Sequence, residues 1–175
     1  MARTEWKCRN LKVKSRKVLG ERFFYAVYPD GIAALPYLSS PEGRRVILRV
    51  EPIPGWGDGD HVTAVMGTGS TGKTPIETLV NEMQEEAGID LLQNGEDDMY
   101  RRLTPCGSYR EGKRSVKTLH LFLTDVTGLD MSTPKGDGSA LEAAGGVVLV
   151  SPEQAEEDAE DLALRYLLLR LCEVT

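Results

Sequence analysis

Ahead of its C-terminal region the chain offers one stretch with both the period and the end signals of a helix, and that scarcity limits the fold more than any other feature. The stretch is residues 74–87. Thr74 can accept a hydrogen bond from the first turn, Pro75 suits the first helical position, and Gly88 supplies the stop. Everything before it reads as strands. "LKVKSRKV" alternates apolar and basic residues, a turn follows at "LGER", and "RFFYAVY" runs apolar. Residues 31–51 predict a second pair turning at 39–43, and "HVTAVM" predicts a short strand leading into "GTGSTGKT". Parallel strands need crossover helices, and few are present. With 175 residues the chain suits one domain, and the element pattern predicts a mixed α/β (α+β) fold.

Downstream, "MYRRLTPCGSY" and "VKTLHLFLTDV" predict strands and residues 127–146 a long loop. "VVLV" predicts the last strand. "SPEQ" opens a terminal helical region broken near Glu160, with residues 161–172 as its main part.

Residues 67–74, "GTGSTGKT", match the phosphate-loop pattern G-x-x-x-x-G-K-[ST]. In such a loop successive backbone N–H groups turn toward phosphate oxygens, the Lys reaches the outer phosphates and the Thr holds magnesium. Lys73 and Thr74 would take those parts in a nucleotide-binding protein. The architecture opposes this reading, because such loops sit at the edge of a parallel sheet built from repeated βαβ units. This chain lacks the helices for them.

The helix after the glycines carries a different signal. At about 100° per residue, Glu82, Glu85 and Glu86 share one arc beside the apolar stripe of Ile76, Leu79, Val80, Met83 and Ala87. Three carboxylates this close repel by about 3 kcal/mol per pair at ~6 Å and an effective dielectric near 20, and by under about 1 kcal/mol in full solvent. Either the face is solvated, or it binds a divalent cation. Carboxylate oxygens suit magnesium or manganese.

The run from Gly67 to Ile89 resembles the Nudix box, G-x5-E-x7-R-E-U-x-E-E-x-G-U, with U a bulky aliphatic. Gly67, Glu82, Met83, Glu85, Glu86, Gly88 and Ile89 match; Lys73 stands where the family has Glu, and Asn81 where it has Arg. The second half of the chain is similar to Nudix enzymes that split ADP-ribose and related nucleoside diphosphate sugars. The resemblance implies an α/β/α sandwich with a mixed sheet over residues 31–175. Residues 1–30 would be an N-terminal β-hairpin, part of the same unit or a homodimer contact. It implies Glu82, Glu85 and Glu86 as metal ligands, for Mg2+ or alternatively Mn2+, with Glu85 and Glu86 also catalytic. It places a further catalytic Glu in the long loop, carried here onto Glu142. The backbone carbonyl of Met66 is an expected additional ligand, because the strand ends there. Lys73 and Arg49 are expected at the substrate phosphates, and Trp56 or Tyr28 against a base. A Nudix-fold module that binds without catalysis is the rival, favoured by the Lys73 and Asn81 departures and opposed by the intact glutamate trio.

The remaining composition bounds partners. A net charge of −6 argues against a nucleic-acid coat, although Arg3, Lys7, Arg9, Lys12, Lys14, Arg16 and Lys17 oppose only Glu5 in the first seventeen residues. That run is a solvated strand face or a phosphate contact. Cys8, Cys106 and Cys172 form no CxxC pair, and His61 and His120 read as strand residues. No apolar run reaches the length of a membrane span. The expectation is a cytoplasmic protein with a small nucleotide substrate and no membrane partner.

Overall fold

A computed structural model of the chain describes residues 3–8, 11–53, 55–70, 72–110, 112, 115–136 and 144–174. Strands β1 (Arg3–Cys8), β2 (Leu11–Val18) and β3 (Glu21–Val27) form a separate antiparallel sheet. The predicted hairpin is its β2–β3 pair, and β1 adds a third strand. Its turn puts Leu19 at φ 50° and Gly20 at φ 86°. Paired positive φ values match the right-handed twist of the flanking strands.

The main sheet contains β4 (Gly31–Ser40), β5 (Gly43–Pro52), β6 (Asp60–Thr63), β7 (Val65–Thr68), β8 (Leu103–Arg110), β9 (Thr118–Asp125) and β10 (Gly146–Val150). Its order is β10-β5-β4-β9-β8, with β4 and β9 parallel and their neighbours antiparallel. Among the described residues four helices complete it: α1 (Pro75–Glu86), α2 (Glu96–Arg102), α3 (Pro152–Asp158) and α4 (Leu162–Glu173). On one face of the sheet, Ala33, Leu35 and Leu48 pack with Ala155 of α3 and Leu164 and Leu167 of α4. On the other, Ile32, Ala34 and Ile47 pack with Leu79 and Met83 of α1 and Met99 of α2. β4 is buried without interruption from Gly31 to Tyr37 because helices cover both of its sides. The layers are α/β/α around a mixed sheet, as the resemblance implies.

One departure positions the site. β4 and β5 pair only near their shared turn, from Tyr37–Val46 to Ser40–Gly43. Beyond it they diverge, and "HVTAVM" is two strands rather than one. β6 pairs with the end of β5, and β7 with the start of β4. Arg49 is bonded to β10 on one edge and to β6 on the other, so β6 and β7 lie in the opening between the two central strands. That opening leads straight into the glycine turn and α1.

A second departure is α2, where the sequence reading began a strand at "MYRR". Glu96, Asp97 and Asp98 sit in its first turn and Arg101 and Arg102 in its last, a charge order that favours a helix. Asp98 accepts from Arg102 Nε at 2.5 Å across one turn. No helix among the described residues is long and apolar enough to cross a membrane.

Candidate active site

α1 is fixed at its N-terminus by local chemistry. The Glu77 N–H donates to Thr74 Oγ1 at 3.2 Å, and the Thr74 N–H donates to the Glu77 carboxylate at 2.7 Å. The Thr74 hydroxyl also donates to that carboxylate, at 2.8 Å. These bonds close a capping box, and they hold Glu77 below the usual carboxylate range. They also occupy the Thr74 N–H and hydroxyl that a phosphate loop would offer to its ligand. Together with a sheet holding one parallel pair, this removes the structural basis for reading residues 67–74 as a phosphate cradle. Lys73 is exposed beside this helix start.

Two turns further on, the acids meet β7. A Cβ on Gly67 would lie 2.0 Å from the Glu82 carboxyl carbon and from one of its oxygens. The Glu82 carboxylate occupies the space above Gly67, so any side chain there would displace it. Gly67 shares strand parity with Val65, whose side chain packs under α1, while Met66 packs toward the opposite core. The Met66 N–H still reaches the acids, donating to Glu86 Oε2 at 3.0 Å.

Glu86 is 6 % exposed. Burial, reinforced by the charge of Glu82, pushes its pKa up to about 8, against the opposing pull of the Met66 N–H and Arg49. Glu86 therefore lies inside the interface, whereas the helical arc alone put all three acids at the stripe's edge. Glu82 and Glu85 are half-buried. Among the described residues, no three His, Cys, Asp or Glu side chains converge into a ready metal cage. The donor chemistry fits a divalent cation nonetheless. Glu82 lies near enough to raise the cost of the Glu86 charge, and both offer only hard oxygens.

Arg49, expected at a substrate phosphate, is 1 % exposed and points inward. On β5 the two-residue period sets Ile47, Arg49 and Glu51 on the α1 side in succession. Arg49 Nη1 donates to the Glu86 carbonyl at 3.3 Å, and its Nε donates to Glu51 Oε2 at 3.3 Å. A Cβ on Gly145 would meet the guanidinium at 2.4 Å, so the absence of a side chain there leaves room for Arg49. Arg49 thus braces the last turn of α1 against β5 and the residues leading into β10. The sequence reading missed Glu51, 22 % exposed and near enough to Glu86 to raise its pKa. Its signal was the strand "RVILRVE", where an apolar face ends in a cation and then an anion.

The long loop is pinned to the same helix end. The Gly136 N–H donates to the Glu85 carbonyl at 2.9 Å, and the Ser132 N–H donates to the Gly88 carbonyl at 2.8 Å. Gly88 has φ +69° and stands against the Ser132 backbone, so no side chain fits there. Glu142 lies outside the described residues. Trp56, in the β5–β6 connection, stands edge-on to His61 with ring centroids 5.6 Å apart. Tyr28 is exposed between β3 and β4.

No protein-family model matches the chain, and no curated protein matches it in sequence. Among solved structures it is similar to a chain from Listeria monocytogenes described as a "putative NUDIX hydrolase". The TM-score is 0.60 at 17% identity, over 83% of this chain and 92% of that one. At this identity the likeness establishes the fold: a Nudix-type α/β/α sandwich.

Proposed function

We propose that this chain hydrolyses, with a divalent metal ion, a nucleoside diphosphate linked to a second moiety. ADP-ribose or a related nucleoside diphosphate sugar is the favoured substrate, giving a nucleoside monophosphate and a phosphorylated product. The observation that carries this reading is the Glu82 and Glu86 pair, set over Gly67 and against the Met66 N–H on a Nudix-type fold. A merely solvated acidic face would not be folded inward at the cost of its own ionisation.

Glu82, Glu85 and Glu86 would hold Mg2+ or Mn2+, joined by the Met66 carbonyl. When bound, such an ion neutralises phosphate charge and makes a coordinated water more acidic. Glu85, the trio's remaining carboxylate, half-buried on the last turn of α1, would accept a proton from an attacking water. Glu142 belongs to the same proposal as a second proton acceptor, and Lys73 as a contact to substrate phosphate. Arg49 acts as a positioning residue, holding the Glu86 turn in place. A homodimer through residues 1–30 completes the reading; a monomer mass on gel filtration would remove it.

The test is AMP release from ADP-ribose with magnesium, comparing wild type with Glu85→Gln and Glu86→Gln. Release that requires metal and collapses in both variants supports the proposal. ADP-ribose bound without turnover would favour the silent binding module, to which the Lys73 and Asn81 departures also point.

A further inference from the structure

The basic run near the N-terminus is absorbed by none of the preceding chemistry, and the structure gives it a specific setting. In the β2–β3 register Lys14 lies opposite Tyr25, and Arg16 opposite Phe23. Directly opposed residues project from the same face of a sheet. One face therefore presents two cross-strand pairs, each a cation beside an aromatic ring. Phe23 is 45 % exposed, so this ring is not consumed by the core.

That face does not open onto bulk solvent alone. Arg110, at the end of β8, and Val116, just before β9, form a second wall. The second wall is tied to the first: the Val116 N–H donates to the Ala26 carbonyl at 2.9 Å, and Ser115 bridges to Ala26. Between the walls lies a cavity of about 530 Å³. That is within the range of small-ligand sites, roughly 300–1,000 Å³. Three cationic side chains line it, and no carboxylate does among the described residues. Glu21 shares the sheet face at the turn but does not line the cavity. A solvated basic strand would need neither the rings nor the second wall.

The geometry points to a binding site for a nucleoside monophosphate in this cavity, its phosphate held by Arg16, Lys14 and Arg110 and its base stacked on Phe23 or Tyr25. Arginine and lysine supply charge-assisted donors to phosphate oxygens, and an aromatic face accepts any flat base. The size of the cavity fits one nucleotide better than a strand of them. Binding here requires no metal and no carboxylate of α1, so the site stands or falls separately from the hydrolysis proposed above.

The experiment is calorimetric titration of the full chain with AMP in EDTA, with inorganic phosphate, adenosine and a single-stranded oligonucleotide as comparison ligands. The expected result is saturable AMP binding, tighter than either phosphate or adenosine. Arg16→Ala and Phe23→Ala should each weaken it about tenfold or more. Lys17→Ala, on the same strand but the other face, should leave it unchanged. Circular dichroism melts of each variant check that the exposed substitutions leave the fold intact. Absence of saturable binding would overturn the proposal. So would binding that Arg16→Ala and Phe23→Ala do not affect. An oligonucleotide that binds far tighter than AMP, with affinity falling steeply in salt, would overturn it in favour of a nucleic-acid groove.

Discussion

Replacing Glu86 by Gln should stabilise the metal-free protein, and by an amount that grows with pH. Glu86 is held in the folded chain at a pKa of about 8, against an ordinary 4.5. Between those values the native state retains a proton that the unfolded state releases, so stability falls as pH rises through the window. It is fully present below about 4.5 and fully lost above about 8. At about 1.4 kcal/mol per tenfold, the whole displacement is worth about 5 kcal/mol, and some 3 kcal/mol of it is gone by pH 7. Gln keeps the shape and can still accept from the Met66 N–H, but it cannot ionise. The measurement is urea denaturation in EDTA at several pH values from 5 to 9, for wild type and Glu86→Gln. Their difference should widen in the variant's favour by about 3 kcal/mol between pH 5 and pH 7, on the order of 10 °C in Tm for a chain of this size. Saturating magnesium at pH 8 should narrow the gap by stabilising wild type alone. Parallel stability curves across the whole range would refute the argument, because they would mean that Glu86 ionises in the fold as freely as in the unfolded chain.

Gly67→Ala should cut AMP release about a hundredfold, because the new methyl takes the space of the Glu82 carboxylate. The same variant should lose under about 3 kcal/mol in urea melts, as a small overpacking does; unchanged turnover would show that the position of Glu82 does not matter. Arg49→Met should cost about 3 kcal/mol of stability by stranding Glu51 and the Glu86 carbonyl. Arg49→Lys should recover part of that, and equal melts for all three proteins would remove the bracing role. Leu19→Asn should raise stability by about 1 kcal/mol, since Leu19 is 99 % exposed and held in the left-handed region that Asn tolerates better. A thermal melt no higher than wild type would contradict it.

What the sequence disclosed follows the range of the forces involved. α1 was legible to within a residue because Thr74, Pro75 and Glu77 set its start among themselves, within three residues of one another. The turn at residues 39–43 and the break near Glu160 were legible for the same reason. The division of "HVTAVM" into β6 and β7 was not. It depends on β4 and β5 diverging, which is decided by strand partners far away in the chain. The burial of Arg49 was hidden likewise. A strand arginine reads as a surface group until α1 is laid across it, and only then does its parity with Ile47 place it under the helix end. α2 was lost to a local signal, since "MYRR" reads as the opening of the following strand while the ordered charges of 96–102 stabilise a helix.

The same distinction bears on the two departures from the Nudix box. Asn81 stands where the resemblance has an arginine bracing a box carboxylate from within the helix, and Lys73 where it has an acid. In this chain the brace comes from outside the helix. Arg49 holds the Glu86 carbonyl, Met66 holds the Glu86 side chain, and Gly136 and Ser132 hold the Glu85 and Gly88 carbonyls. The start of α1 is held separately by Thr74 and Glu77. A helix fixed at both ends does not need position 81 to keep its acids in register. The brace and the acids then form one coupled unit. Glu86→Gln and Arg49→Met should be strongly non-additive in stability, because the anion whose charge Arg49 offsets is absent once Gln is present. In the double mutant the cost of losing Arg49, measured at pH 9 in EDTA, should shrink by at least about 1 kcal/mol relative to the wild-type background. Full additivity would mean that Arg49 serves Glu51 and the backbone alone and offsets none of the Glu86 charge.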